Sequence, residues 1–504
     1  MLSGENANGA KDAKQDSFSG LDGLSVPERK QRLGVGTIQV LLAEFLVFPL
    51  GLITAAYIGR ALGPRDYGIF AVALATGDVI EWTMVSLFSR ATVQVVGEAA
   101  DWRAVAAAAF RLQTAIGAAL GVSFFLTADL VARALGEPSI AWLLRVLALE
   151  LPLLAAGVVT RNVLTGRGKY RERALSSALR LFARMVFVIA LVAAGLSIRG
   201  AIVGEVLSTV VWLAVVSLLA RIPTTTPGPP DGNRRLWSLA RPLFMLSLSL
   251  RVLDKVGVVA LKMLGASARE AGWYAAAQNF GIAPGIFAVS FAPLLLGALS
   301  TAVRAGNREQ GRPLVRNALR LVFGILPFVA FGAGTAPEVI HLIYGTGYEP
   351  AARLAIPLLG SAMGMAIVSV AGAILAAADE ARRIVRLVWP VTVAALVALA
   401  VVVPRYGAMG AAVVIGVASL TGAGILLETV RRVWGVGLPL GTFVRTVVVS
   451  ALTLFAGLAW PAYDAWIVVK TVVFVGGIIG ALAVAGEFIK EDVELARSVV
   501  AAKP

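Results

Sequence analysis

"SLSLRVLDKVGVVALKMLG" (247–265) is built mostly from Leu, Val and Met, yet it carries Arg251, Asp254, Lys255 and Lys262. With its upstream flank it is long enough to cross a bilayer, whose ~30 Å hydrocarbon core takes about 20 helical residues. On a helix the charges are not scattered. At about 100° per residue, with Arg251 at 0°, Lys262 falls near 20°, Lys255 near 40°, Asp254 near −60° and Ser247 near −40°. A charge facing lipid at mid-bilayer costs at least ~2.5–3.5 kcal/mol, so this arc should meet water or protein. In one reading Arg251 and Lys255 line a central cavity and bind a phosphate or an acidic sugar. In the other, Arg251 and Asp254 form an ion pair that only fixes helix packing. One carboxylate cannot neutralise three cations within this helix, which favours the first. Lys262 is expected to reach the outer interface.

The rest of the chain has the same character. Of its 504 residues 58% are hydrophobic and only 15% charged, too apolar a mixture for one or two soluble cores. The fold class is an all-α polytopic membrane protein. Cysteine is absent and His341 is the single histidine, so no disulfide, metal site or cofactor is expected. The net charge of +15 reads as basic cytoplasmic loops and not as a nucleic-acid surface.

Apolar windows of spanning length occur at 34–58, 68–93, 104–128, 140–164, 174–196, 200–220, 239–262, 272–298, 314–334, 352–376, 384–403, 408–429, 442–461 and 464–487. They predict about fourteen transmembrane helices. Spans five and six are separated only by Ser197–Gly200. Residues 1–33 read as a disordered cytoplasmic tail without the apolar run of a signal peptide. The Pro/Gly-rich "RIPTTTPGPPDGNRR" (221–235) cannot be helical, which makes 221–238 a cytoplasmic linker. It separates a six-helix bundle over 34–220 from a second over 239–430. Helices 13 and 14 (431–487) and a cytoplasmic tail (488–504) follow. Lys and Arg concentrate in the N-terminal tail and in the loops after spans four, six, eight and ten, so both termini are expected in the cytoplasm.

The two halves echo each other. "RALGPRDYGIFAVALATG" (60–77) matches "KMLGASAREAGWYAAAQNFG" (262–281) in Leu-Gly, a polar turn with Arg, and Tyr beside Gly. "LGEPSIAWLLRVLALELPLL" (135–154) is echoed by "GYEPAARLAIPLL" (347–359), and "IRGAIVGEV" (198–206) by "AMGAAVVIG" (408–416). Three pairs in the same order predict a duplicated unit. Both copies begin on the same side, so the bundles should be related by a pseudo-twofold axis along the membrane normal, with a cavity between them.

"YIGRALGPRDYGIFAVALA", "LDKVGVVALKMLGASAREAGWYAAA" and "VIHLIYGTGYEPAARLAIPLL" together resemble the polysaccharide exporters, the Wzx-like oligosaccharidyl-lipid flippases, over roughly residues 34–430. The pattern is shared across the multidrug/oligosaccharidyl-lipid/polysaccharide exporter superfamily. The resemblance implies a non-enzymatic transporter of a bacterial or archaeal inner membrane. It would flip undecaprenyl-pyrophosphate-linked O-antigen, capsule or exopolysaccharide units to the outer leaflet by alternating access. Its partners would be the lipid-linked oligosaccharide and the bilayer, with a polysaccharide polymerase and glycosyltransferases as candidate protein partners. A drug or organic-cation antiporter of the same superfamily is the alternative; its cavity should be negative, opposite to the span-seven stripe. A membrane glycosyltransferase would need a catalytic loop that this chain lacks.

Other ionisable residues inside the spans are candidates for the work. Arg180 and Arg184, i,i+4 on span five, can join Arg90, Arg161 and Arg320 in drawing an anionic head group into the inner mouth, or simply reflect positive-inside bias. Asp78 and Glu81 on span two and Glu44 on span one can be coupling sites for protons or sodium. They can equally be cross-cavity partners of span seven, or structural pairs with Arg90 or Arg145. Glu150 and Glu205 carry no assigned role, with Arg145 as a partner for Glu150. Gln278 and Asn279 either line the cavity wall or make helix–helix hydrogen bonds, the second being favoured. "TGRGKY" lacks phosphate-loop spacing and no ATP site is visible, so an ion gradient or the substrate gradient should drive transport.

Overall fold

The computed structural model describes residues 47–99, 101–223, 226–227, 236–237, 256–304, 308–437, 440–462 and 466–487. Every regular element among them is helical. In chain order these are α1 (Val47–Glu98), α2 (Trp102–Ala134), α3 (Ile140–Gly166), α4 (Tyr170–Leu191), α5 (Ser197–Ala220), α6 (Ala268–Gln278), α7 (Ile282–Arg304), α8 (Arg308–Gly324), α9 (Leu326–Gly334), α10 (Ala336–Tyr344), α11 (Glu349–Ala377), α12 (Ala381–Trp434), α13 (Leu440–Ala459) and α14 (Trp466–Val484). Residues 256–263 form a further helical stretch.

Nine helical segments among the described residues are long and apolar enough to cross a membrane. Three of them are 50, 51 and 54 residues long. Straight, each would measure about 75–80 Å, more than twice the hydrocarbon core. Each is instead broken at a backbone conformation that favours glycine. α1 breaks at Gly63 (φ 72°, ψ 172°), just before Pro64. α12 breaks at Gly407 (φ 53°, ψ −137°). Between α4 and α5 a π-helical turn, Val192–Leu196, contains Gly195 (φ 87°) and runs into Ser197 (φ 51°, ψ −141°). Each segment can therefore cross twice. The first two breaks lie in the gaps between the sequence windows. The third begins slightly before Ser197–Gly200, where the windows divide spans five and six.

The breaks carry the duplication into the backbone. Ser197 and Gly407 each stand one position before a copy of the third motif pair, and their dihedral angles agree within a few degrees. Gly63 and Gly265, the Leu-Gly glycines of the first pair, both have positive φ. After Gly265, Ser267 starts α6 with a capping box: its Oγ accepts the Glu270 N–H while the Glu270 carboxylate accepts the Ser267 N–H at 2.9 Å.

The chain divides into two compact units. The first comprises Met1–Thr54, Thr76–Arg133 and Glu137–Leu248; the second comprises Ala55–Ala75, Ala134–Gly136 and Ser249–Pro504. Both units pack through small residues, as membrane helices do where no water drives them together. In the first, Gly121 brings α2 onto the Ala148 carbonyl of α3, and Gly204 brings α5 onto the Val188 backbone of α4. In the second, Gly334 of α9 meets Gly457 of α13, and Gly364 of α11 meets Ser419 of α12.

The segment 55–75 of α1 belongs to the second unit and packs there without clearance. A Cβ on Gly68 would overlap the Ala268 carbonyl, and one on Gly272 would overlap the Pro64 carbonyl. Beside this contact Tyr67, Tyr344 and Tyr348 form an aromatic cluster with centroids 5.1–6.1 Å apart. The Asn279 amide donates to the Tyr67 and Tyr344 hydroxyls at 2.9 and 2.8 Å, and the Tyr348 hydroxyl donates to the Gly59 carbonyl at 3.0 Å. Arg60 donates to the carbonyls of Ile343 and Leu342 at 3.0 and 2.5 Å. Asn279 thus makes interhelical hydrogen bonds, the favoured expectation. Gly345 and Gly347, both at positive φ, form a turn closed by the Glu349 carboxylate, which accepts from the Gly347 N–H. Lys262, at the end of the 256–263 helix, is buried within the protein.

Candidate functional site

The first unit gathers charged side chains inside its bundle. Arg180 and Arg184 are one helical turn apart on α4, so both guanidiniums leave the same face. Glu205, Thr209 and Trp212 repeat at i, i+4 and i+7 along α5 and form one stripe. Glu81 comes from the second limb of α1 and Glu150 from α3. Where these faces meet, Arg180 lies 3.8 Å from Glu81 and 3.9 Å from Glu150, one cation between two carboxylates. The Thr209 hydroxyl donates to Glu150 Oε1 at 2.6 Å. Arg184 Nε stands 2.6 Å from Glu205 Oε2, an ion pair whose N–H does not point at the oxygen. The charge of Asp78 acts on both Glu81 and Arg184.

Trp212 packs against the cluster. It is fully buried, and Gly157 of α3 gives its ring the space that any Cβ would fill. Arg180 stands 5.0 Å and Arg161 5.9 Å from its ring centre, so the indole face adds attraction for both guanidiniums. Exposure is uneven. The side chains of Glu150 and Glu205 are 8% and 9% exposed, those of Glu81 and Arg180 23% each, and that of Arg184 37%. The cluster is closed around two carboxylates and open around the arginines and Glu81.

Its bonding leaves room for chemistry. A well-made guanidinium–carboxylate pair is bidentate at about 2.7–2.9 Å. Arg180 instead serves two carboxylates at 3.8 and 3.9 Å. Two carboxylates sharing one guanidinium leave a negative charge that a proton or a monovalent cation can balance. Among the described residues, no three acidic or histidine side chains converge closely enough to hold a metal ion.

The structure thus brings together Arg180, Arg184 and Glu81, with Asp78 at the edge. Arg251, Asp254, Lys255 and Glu44 lie outside the described residues. One expected partnership is corrected. Arg145 does not pair with Glu150 but with Asp129 of α2. Five residues along a helix turn the side chain by about 140°, so Arg145 and Glu150 leave α3 on different faces. Glu81 likewise pairs with Arg180 and not with Arg90 or Arg145. Sequence reasoning left Glu150 and Glu205 without a role and missed Thr209 and Trp212. The signal for Glu205 was the i, i+4 register of the arginines, which demands carboxylates on a facing helix.

Among the described residues, broken helices of membrane-spanning length and charges buried between them define a polytopic membrane protein. Its backbone superposes on a structure of the lipid II flippase MurJ in an inward closed conformation with a TM-score of 0.76 at 15% identity, covering 89% of this chain and 98% of that one. An inward-facing multidrug resistance MATE family transporter of the MOP superfamily follows at 0.60 and 17% identity, covering 79% of this chain and 94% of that one. At these identities the likeness is one of fold. Residues 58–353, more than half of the chain, match the model of the polysaccharide biosynthesis protein family, and the chain belongs to that family. It is also 25% identical over 254 residues to the succinoglycan biosynthesis transport protein ExoT of Rhizobium meliloti (strain 1021). That match spans 48% of this chain and about half the length of the relative, 49%.

Proposed function

We propose that this protein flips an undecaprenyl-pyrophosphate-linked oligosaccharide, a unit of O-antigen, capsule or exopolysaccharide, from the inner to the outer leaflet by alternating access. It would do so in a bacterial or archaeal inner membrane with both termini in the cytoplasm. Family membership and the likeness to a succinoglycan transport protein support the class of cargo. The observation that carries the mechanism is the Arg180 guanidinium shared between Glu81 and Glu150. An anionic pyrophosphate can replace a carboxylate at Arg180 or Arg184, and the released carboxylate then takes up a proton. Glu81 is the more exposed of Arg180's two carboxylates and is the group assigned to that exchange, with Asp78 tuning it and Glu44 as a further coupling candidate. Arg251 and Lys255 supply the second set of cations for the cargo, and Asp254 sets their charge. The packing of 55–75 around Gly68 and Gly272 is assigned to one end state of the cycle, in which that end is shut.

The test is surface polysaccharide in a host lacking its own exporter, with membrane protein level measured in parallel. The wild-type gene should restore polymer. Arg251→Glu with Lys255→Glu should abolish it at normal protein level, because like charges repel the anion in a medium of reduced dielectric. Arg251→Lys should keep part of it, having lost the bidentate fork. Normal export by the double reversal would remove the cationic stripe from the mechanism.

A further inference from the structure

A second basic site lies in the first unit, where α2 begins and α3 ends. Trp102 opens α2 and Arg167 follows the last residue of α3. The Arg167 guanidinium stands 3.8 Å from the Trp102 ring centre and the Arg103 guanidinium 5.3 Å from it. Arg167 is tied in place by an Nη1 hydrogen bond of 3.2 Å to the Ala220 carbonyl at the end of α5. The Arg103 backbone N–H donates to Asp101 Oδ1 at 3.0 Å. The ends of α1 and α3 converge here as well, with Gly166 against the Val93 carbonyl and Val96. Among the described residues neither guanidinium has an ion pair with a carboxylate. Burial first, and then the like charge of Arg103, hold the Arg167 guanidinium below its ordinary pKa, against a weaker opposing pull from the Glu172 carboxylate.

Two like charges gathered on one indole repel each other, and an anion between them would reverse that cost. Lys169 next door differs, since it pairs with Glu172 at 3.7 Å. The ring itself belongs at a membrane–water boundary, where Trp sits at head-group depth. We propose that Arg103, Trp102 and Arg167 form a binding site for the phosphate of a membrane lipid, clamped by two guanidiniums with its glycerol or prenyl chain lying along the indole. The shared chemistry is a lipid phosphate. Its source is either an anionic phospholipid of the leaflet or the pyrophosphate of a lipid-linked cargo.

Purified full-length protein in detergent is titrated with phosphatidylglycerol, with phosphatidylcholine of the same acyl chains, and with undecaprenyl pyrophosphate. Bound lipid is read by native mass spectrometry and by the shift in melting temperature. Each basic residue near a charged lipid surface is worth about fivefold in affinity. Arg103→Gln with Arg167→Gln should therefore weaken phosphatidylglycerol at least tenfold and leave phosphatidylcholine unchanged. Lys169→Gln with Arg171→Gln, on the neighbouring turn, should weaken it less than threefold. If the first pair weakens only undecaprenyl pyrophosphate, the site stands with the cargo as its source. If both pairs weaken binding equally, or neither does, a diffuse basic surface replaces the site. Should the double variant fold poorly, Arg103→Gln alone suffices, since its exposed guanidinium holds no other element in place. Binding is read without transport, so this outcome is independent of whether the protein flips oligosaccharides.

Discussion

Each unit buries ions inside its bundle, and the two do so differently. In the second unit Lys470 of α14 meets Glu338 of α10 at 2.6 Å and donates to the Gly457 carbonyl of α13 at 2.8 Å. The side chains are 1% and 4% exposed, and the Ala462 N–H adds a third contact at 3.4 Å. One cation has one carboxylate, with backbone groups filling most of the remaining valences; only Glu338 Oε2 lacks a donor. In the first unit one guanidinium is divided at longer range between two carboxylates, the buried Glu150 and the partly open Glu81. A closed, one-to-one pair fixes helices. A shared, partly open one can exchange its partners. The same cost of burying charge therefore serves packing in one place and, under the proposed mechanism, transport in the other.

Lys470→Met should have the largest effect. Removing one partner leaves Glu338 charged and unpaired in a buried site, a loss of about 3–5 kcal/mol. Folded protein in the membrane should fall severely, measured by fluorescence-detected size exclusion. Adding Glu338→Leu should recover much of it, since an apolar pair replaces the ions at similar volume. Export per folded molecule should stay near wild type in the double variant. Normal accumulation of Lys470→Met with lost export would make this pair functional and erase the contrast.

Next in size are Gly68→Ala and Gly272→Ala. The neighbour that a new Cβ meets is backbone carbonyl, which no rotamer change relieves. Overpacking of this kind costs about 1–3 kcal/mol. Because only the shut end state contains the contact under the proposed cycle, cysteine-labelling reagents added from that side should reach a cysteine at buried position 58 faster in Gly68→Ala with Ile58→Cys than in an Ile58→Cys control. Unchanged labelling with normal melting would mean the contact is absent from the membrane-embedded protein.

These examples also divide what the sequence reveals from what it hides. Breaks are local: Gly63 before Pro64, Gly407 after Pro404, and the Gly345 to Glu349 turn are set by neighbouring residues, and each was legible. The presence of intramembrane charge was legible too, because Arg180, Arg184, Asp78 and Glu81 interrupt apolar runs. Partner choice was not, because it depends on which helix faces meet. Arg145 and Glu150 are near in sequence and on different faces, whereas Thr209 and Glu150 are far apart in sequence and joined at 2.6 Å. Lys470 was overlooked as one lysine in a long apolar window, although a lone intramembrane cation already requires a buried partner.

Glu81→Gln sharpens the contrast from the other side. It removes a charge already shared, and Arg180 keeps Glu150, so folded protein should change little. Export should fall about tenfold, equivalent to about 1.4 kcal/mol, because the exchangeable carboxylate is gone. Glu150→Gln should cost more protein, since Glu150 also holds Thr209 and is 8% exposed. If Glu81→Gln lowers protein level and export together, Glu81 is one more packing ion and the open side of the cluster has no separate role.

The smallest expected effect lies at the duplicated break. Ser197 and Gly407 share one backbone conformation, but only one of them is glycine. A non-glycine residue in a sparsely populated region stores about 1–3 kcal/mol. Ser197→Gly should release that strain and lose about 0.5–1 kcal/mol to the freer unfolded chain. The net gain is therefore about 1 kcal/mol, a rise of about 1 °C in melting temperature for a chain of this length. The reverse change is not its mirror image. A Cβ on Gly407 would also overlap Glu270 Oε1, the carboxylate of the capping box that starts α6. Gly407→Ser must strain the backbone and displace a cap, so it should destabilise by more than Ser197→Gly stabilises. Equal and opposite shifts would mean that the Glu270 cap contributes nothing at Gly407, and that the two breaks are equivalent in energy as well as in shape.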